Sequence, residues 1–549
     1  MKALRALGLY ALLTAALTWP LAVRLHLMDA GDSAFFAWVM AWEIHALRTD
    51  PARLPHANIF HPLPYTLGYD EPVLGTTVLI APLALVTDDA VLLFNLARLL
   101  TFVLSAFAAY LLARELGCGE GPSLFAGAAF AFSPIRTDQI AHLSTLGSQW
   151  LPLVLLFLVR FARRGAWRDA LLSALFFVLA TLACGYHGLI GLAVLPPAAL
   201  VLLWRRWSRL PAALAAAALA GLGLLPLYLL YRAALDPLGY VRGQDETIVY
   251  SAAVESFLAT TSWNRVYGEL SAPFRSTYAN NLFPGLVLPT LVAVAAWTRW
   301  RRRERPSREA LAIAVMGLAA ALVALGPVVR VMDRPLFPGP FALARALVPA
   351  FQMIRVPSRA GVFIALALAV LAGAALARLR PRPALTALAW LLALAETLIV
   401  PIPMPAWAQV VDSRRPPPPV YAWLAAQPFD PVVVELPILD IHGVSQRPAH
   451  HESIYLVHST RHWRRLANGY AGIEPAPYVD LRQRARRFPS ADALAAFRER
   501  GIRYVVLHRA GFGPNQWARI ERDLPAFAAE LLEVASFQGD TVFELRPPP

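Results

Sequence analysis

Asp29 and Asp32 stand in the stretch MDAGDSAFFAWVMAWEIHAL, on a Gly-containing turn just before an amphipathic segment, Phe35 to Leu47. A carboxylate held there within hydrogen-bond reach of a hydroxyl can remove its proton, which is the task of a general base in a transfer reaction. The plain structural alternative is that Asp32 only caps the helix that follows, as Asp commonly does. The same loop ends in Tyr69, Asp70 and Glu71 before Pro72. Two adjacent acids repel a phosphate, so Glu71 reads as a metal ligand or an acceptor contact, or as part of a solvated turn. Farther on, SPIRTDQIAHL places Arg136, Asp138 and His142 close together, and Asp138 and His142 share a face if this piece is helical. Asp138 is the second candidate for acid or base work beside Asp32. Arg355 and Arg359, in IRVPSRA, carry guanidinium forks that match phosphate oxygens, with Arg136 behind them. Interface anchoring by snorkelling is the bland account of the two arginines. Tyr186 and His187, in CGYHGL, offer further hydrogen bonds to a polar ligand or an aromatic-belt role.

Oxygen donors of this kind suit Mg²⁺ or Mn²⁺, but one Asp per loop specifies no metal, so a divalent cation is an option and no cofactor is required. His450, His451, His458 and His462 match no metal-ligand frame and read as ordinary surface and loop residues. The two cysteines, Cys118 and Cys184, fall in different environments and form no disulfide framework.

The elements that must position these residues are membrane helices. The chain has 549 residues, 57% of them hydrophobic and only 16% charged. An ordinary soluble protein is roughly 25% charged, so a soluble globular enzyme is excluded. Apolar runs of about twenty residues alternate with short Arg-rich or Pro-rich breaks. The first, Leu7 to Val23, follows Lys2 and Arg5 and resembles a secretory signal, but no small-x-small cleavage site follows it. Later spans are Val91 to Ala113, Ser123 to Ile135, Ser148 to Phe161, Ala170 to Tyr186, Leu189 to Trp204 and Pro211 to Tyr231. Pro284 to Trp297, Ala310 to Pro327, Ala360 to Ala377 and Leu385 to Pro401 complete a set of about eleven transmembrane helices. Val73 to Val86, interrupted by Pro82, is short for a span and suits a re-entrant or interfacial helix.

Positive charge fixes the orientation. The arginines at 114, at 160 to 168, at 205 to 209, at 299 to 308 and at 378 to 382 fall on alternate loops. With the N-terminus in the cytoplasm they all stay inside, and everything after Pro401 lies outside. The net charge of +14 is therefore largely topological and calls for no nucleic acid. The candidate residues collect on the other face, in a first external loop from 24 to 90, a short one from Arg136 to Gly147, a long one from Leu235 to Phe283 and another from Val328 to Arg359. The phenyl and indole rings of Phe35 to Leu47 are expected to lie along the bilayer surface. Apart from Arg98 and Glu396 the spans carry few charges, and an ionisable group such as Arg98 there is functional by default.

Residues 1–402 thus form the membrane domain, 403–419 a Pro-rich linker and 420–549 an external α/β domain. In the last, Pro431 to Leu436 and Ile502 to His508 read as strands, Ala491 to Arg500 and Trp517 to Ala535 as helices, and Thr541 to Leu545 as a final strand. No phosphate loop or nucleotide-binding signature occurs inside, so energy or an activated substrate has to come from elsewhere, with a lipid-linked donor in the membrane the natural source and a secondary transporter the competing explanation.

This layout resembles the GT-C superfamily of integral-membrane glycosyltransferases, and more closely a bacterial branch of it. The resemblance is carried by GDSAFFAWVMAWEIHAL through NIFHPLPYTLGYDEPVLG, by MIRVPSRAGVF, and by HSTRHWRRLANGYAGIEPAPY with IRYVVLHR. It implies inverting transfer of a sugar from a polyprenyl-phosphate or polyprenyl-diphosphate carrier to an external glycan, lipid or protein acceptor, in the bacterial cytoplasmic (inner) membrane. It also implies Asp32 as base, Asp29 as a lesser substitute, and a charged residue before Pro72 near the carrier phosphate. Here the chain departs from the aminoarabinose-transferase pattern, which has Lys where this sequence has Glu71. The competing readings are a transporter or flippase, which would call for midplane charges and internal repeats, and a non-catalytic scaffold that keeps the fold.

Overall fold

The computed structural model describes residues 2–240, 243–276, 280–332, 334–402, 411–439 and 452–547. His450, His451 and residues 403–410 of the Pro-rich segment lie outside the described residues. The protein is mostly helical. Each of the eleven apolar stretches carries a helix, from Lys2–Leu17 to Pro383–Glu396, and among the described residues five helical segments are both long and apolar enough to cross a membrane. These are Ala90–Glu115, Leu143–Arg164, Gly185–Leu203, Trp207–Leu238 and Pro357–Leu379. The segment Val73 to Val86 forms only the short helix Leu74–Ile80 and a 3₁₀ turn at Leu83–Leu85.

Local chemistry sets the helix ends. Asp89 caps Ala90–Glu115 by accepting from the Leu92 N–H at 3.0 Å, and Gly165, at φ 73°, stops Leu151–Arg164. Gly361–Leu379 is apolar all round and buried along most of its length, whereas Leu210–Leu235 turns Leu214, Leu222 and Leu229 outward as a lipid-facing helix does. Small residues let the helices close up: a Cβ on Gly317 would fall 2.8 Å from Ala367, and one on Gly373 2.8 Å from Ala126. Glu396 has a structural task. Its carboxylate accepts from the Leu286 and Val287 N–H groups at 2.7 and 3.1 Å, capping Val287–Arg301 from a distance, and from the Tyr267 hydroxyl at 2.8 Å.

After Pro418 the chain builds a five-stranded sheet. Its strand order is Arg465–Leu466, Val432–Leu436, Ile502–His508, Asp540–Leu545, Leu531–Phe537, the first three parallel and the last two joined antiparallel. The helix expected over Trp517 to Ala535 ends at Asp523. Leu531–Phe537 is instead a strand, turned back through Gln538 and Gly539, the latter at φ 94°, so turn chemistry overrides the apolar spacing read as helical.

The aromatic residues of the first loop do not lie along the bilayer. Phe35, Phe36, Trp38 and Trp42, on the helix Asp32–Thr49, are buried in one core with Val434, Leu436, Ile454, Leu456 and Val505 of the C-terminal region. The partner surface of that helix is protein, supplied by residues four hundred or so positions away, and that placement is beyond local periodicity. A short antiparallel pairing of Leu27–Met28 with Val411–Asp412 adds a second tie between the two regions.

Candidate active site

A cavity of about 1190 Å³ opens between the first loop, the C-terminal region and the helices Trp167–Ala183, Gly185–Leu203 and Leu210–Leu235. One end is polar, lined by Asp32, Asp70, Glu71, His142, Arg359 and Tyr470. The rest is an apolar channel along Phe177, Leu192, Leu195, Leu200, Leu214 and Leu225.

Asp32 is the first residue of its helix, but Gly31 is the cap residue and no side chain caps it. The helix start is fixed by other means. The Gly31 N–H donates to Ser453 Oγ at 2.8 Å, and Arg98 donates to Ser33 Oγ at 2.9 Å. The Asp32 carboxylate is thereby free to face the cavity, where Oδ2 lies 2.8 Å from His142 Nε2 and Oδ1 accepts from the Tyr470 hydroxyl at 3.0 Å. Burial pushes its pKa up, but the hydrogen bond and charge of His142, the Tyr470 hydroxyl and Arg359 outweigh this and hold the carboxyl well below the usual carboxylate range. The buried Arg98 anchors the segment from behind, with Phe94 4.4 Å beneath its guanidinium, and does not line the cavity. Asp29 does not line it either.

Asp70 is held by two backbone donors, the Glu71 N–H at 2.6 Å and the Gly472 N–H. Burial first, then the neighbouring Glu71 and Asp32 charges, raise its pKa to about 6. Glu71 pairs with Arg359 at 3.2 Å, and the same guanidinium sits 4.4 Å over the Tyr186 ring. The acid before Pro72 thus orients a cation. Arg355 donates to the Gly472 carbonyl at 3.3 Å, lies 3.5 Å from Glu246 and covers Tyr250 at 4.9 Å.

Of the residues expected from sequence, Asp32, Glu71, Tyr186, Arg355 and Arg359 meet in this cavity, and Asp138, Arg136 and His187 do not line it. Arg136 is buried and spends its fork on Ser148 Oγ, Ser105 Oγ and the Ala131 and Leu146 carbonyls, at 2.5 to 3.0 Å, so it ties the short loop 136–147 together and is not free to bind phosphate. Asp138 accepts from Asn281 at 3.2 Å, and burial leads in raising its pKa to about 6. It and His142 are not on one helix: the turn Pro134–Thr137 ends before Asp138, and His142 precedes Leu143–Leu146. His187 is buried within its helix. His142 and Asp70 stood in the motifs noted from sequence but were given no role there, and Tyr470 was not singled out. The first two are titratable groups in polar loops, whereas nothing local marks Tyr470.

Among the described residues no group of three or more His, Cys, Asp or Glu side chains is placed to hold a metal ion. The acids at the polar end do not converge as ligands: Asp32 is engaged by His142 and Tyr470, Glu71 by Arg359, and Asp70 by backbone N–H groups. This donor set does not fit a divalent cation.

The fold is similar to those of two solved glycosyltransferase-type structures. The crystal structure of ArnT from Cupriavidus metallidurans bound to undecaprenyl phosphate superposes with a TM-score of 0.50 at 14% identity, over 98% of this chain and 97% of that one. The cryo-EM structure of the arabinofuranosyltransferase AftD from Mycobacteria gives 0.52 at 18% identity, over 96% of this chain and 41% of that much longer one. Curated proteins yield no match to the sequence. With the apolar helices, this makes the chain an integral membrane protein. Residues 7–397 match a single family profile across the membrane helices and most of the cavity wall, and the chain belongs to the family described as Domain of unknown function (DUF6311).

Proposed function

We propose that this protein is a glycosyltransferase that moves a sugar from a polyprenyl-phosphate or polyprenyl-diphosphate carrier to an acceptor hydroxyl on the external, periplasmic face of the bacterial inner membrane, with inversion. The observation that carries this reading is the single cavity in which an acidic, Asp32-containing end continues into a long apolar channel among the membrane helices. A lipid-linked sugar has the same two-part chemistry, a polar head and a polyprenyl tail, and ArnT, whose fold is similar, was crystallised with undecaprenyl phosphate. The orientation that goes with it is the one read from the arginines: eleven crossings, a cytoplasmic N-terminus and an external C-terminal region.

In the reaction, Asp32 takes the proton of the acceptor hydroxyl as its oxygen bonds to the anomeric carbon. The bond from that carbon to the carrier phosphate breaks, and its electron pair leaves on the phosphate. Attack on the face opposite the leaving group inverts the anomeric centre. Arg355 and Arg359, already in the cavity wall, meet the charge that develops on the leaving phosphate. The nearby acids hold these cations in place, as Glu71 does for Arg359.

The test is turnover of purified protein with radiolabelled polyprenyl-phosphate and polyprenyl-diphosphate sugars and a panel of glycan, lipid and peptide acceptors. Asp32→Asn is expected to lower kcat by about 10²–10⁴-fold, the usual worth of a general base. Full activity in that variant removes Asp32 as base, and no turnover with any carrier turns the reading toward a transporter or scaffold.

A further inference from the structure

We propose that Tyr470 is a positioning residue for Asp32, so that the C-terminal region completes the reaction centre and is not an accessory to it. This rests on the reading of Asp32 as the base. Two donors from unrelated parts of the chain hold the two oxygens of that carboxylate, His142 on Oδ2 and the Tyr470 hydroxyl on Oδ1. One donor would leave the carboxylate free to swing about its Cβ–Cγ bond. Two donors on different oxygens fix its plane while leaving lone pairs for an acceptor hydroxyl.

The Tyr470 hydroxyl can do this because its backbone is sewn to the first loop on both sides. The Phe60 and His61 N–H groups donate to the Asn468 and Leu466 carbonyls, both at 2.9 Å, Leu466 donates back to Asn58 at 2.8 Å, and Ile473 to Tyr69 at 3.1 Å. Gly469 is needed for this fit, since a Cβ there would fall 2.3 Å from the Phe60 ring. Gly472 completes the loop by donating to Asp70 and accepting from Arg355. The tyrosine ring packs 5.5 Å from Phe35, one helical turn after Asp32. The charged and titratable groups that face Asp32 are His142, Tyr470, Arg359 and Asp70.

The full-length protein in detergent or liposomes tests this, using the polyprenyl-linked sugar that supports turnover and undecaprenyl phosphate as binding probe. Tyr470→Phe keeps the ring and its packing. It is expected to lower kcat roughly tenfold or more, with the donor KM, the undecaprenyl phosphate Kd and Tm changed less than about twofold or two degrees. In an Asp32→Asn background the same substitution should cost nothing further, because the group through which Tyr470 acts is already gone. A Tyr470→Phe variant with wild-type kcat, or one whose kcat falls together with Kd and Tm, overturns the inference. So does a loss of similar size in the Asp32→Asn background. Full activity of Asp32→Asn alone would instead overturn the underlying assignment of the base.

Discussion

Asp32 and Asp70 sit at the same end of one cavity and are driven in opposite directions by their surroundings. Asp32 has charged and hydroxyl donors and stays ionised far into acid, whereas Asp70 is buried beside two other acids with only backbone donors. On the proposed reading the two acids divide the work: Asp32 serves as the base, and Asp70 is the group that titrates. Below about pH 6 Asp70 carries its proton, and above it the added negative charge beside Asp32 strengthens the base. The kcat/KM profile is therefore expected to rise with pH through about 6 and then level off. Asp70→Asn should flatten that limb, while Asp138→Asn, away from the cavity, should leave it in place. The residue types of the site were legible in the sequence because acids and arginines between otherwise apolar helices are conspicuous. Which of them point inward was not: Arg136 and Arg359 are both arginines in connecting loops, yet one is consumed by helix-end carbonyls and the other lines the cavity.

At the scale of elements, the C-terminal sheet is cross-linked by a buried ionic chain. His508 lies 2.9 Å from Glu435 and 2.8 Å from Asp540, joining three adjacent strands. Burial alone would lower the His508 pKa, but its two acidic partners raise it to about 9. A histidine raised in the folded state contributes stability that is fully present below its ordinary value and is lost as pH climbs through the folded value. The C-terminal region is therefore expected to be most resistant to heat and protease below about pH 6.5 and to weaken progressively up to about pH 10. His508→Gln, which leaves the buried Glu435 and the half-buried Asp540 without their cation, should cost roughly 3–5 kcal/mol and remove most of that pH dependence, as thermal melts at pH 6 and pH 10 would report. The strand Ile502–His508 was readable from its run of β-branched and apolar residues, whereas Leu531–Phe537 was not, because its alternation is masked by the Ala-rich stretch before it.

At the scale of the molecule, the membrane helices and the C-terminal region share one cavity and one core, with the first loop lying between them. The apolar channel gives the membrane half a testable share of the work. Gly221 lines it, and a Cβ there meets nothing within 4 Å, so the helix Leu210–Leu235 accepts a side chain that projects into the channel. Gly221→Trp is expected to raise the undecaprenyl phosphate Kd at least about tenfold without altering Tm, which titration of the detergent-solubilised protein would measure. Hydropathy and arginine placement by themselves determined that this chain is a polytopic membrane protein and where its apolar helices run. Those are sums over local composition, and each residue contributes to them whatever its distant neighbours are. Only the tertiary structure decided that Asp32 is held by His142 and Tyr470, that Glu71 steadies Arg359, and that the aromatic rings of the first loop are buried against the C-terminal region. Each of these depends on a pairing between residues more than a hundred positions apart, set by packing and backbone hydrogen bonds that leave no trace in local spacing.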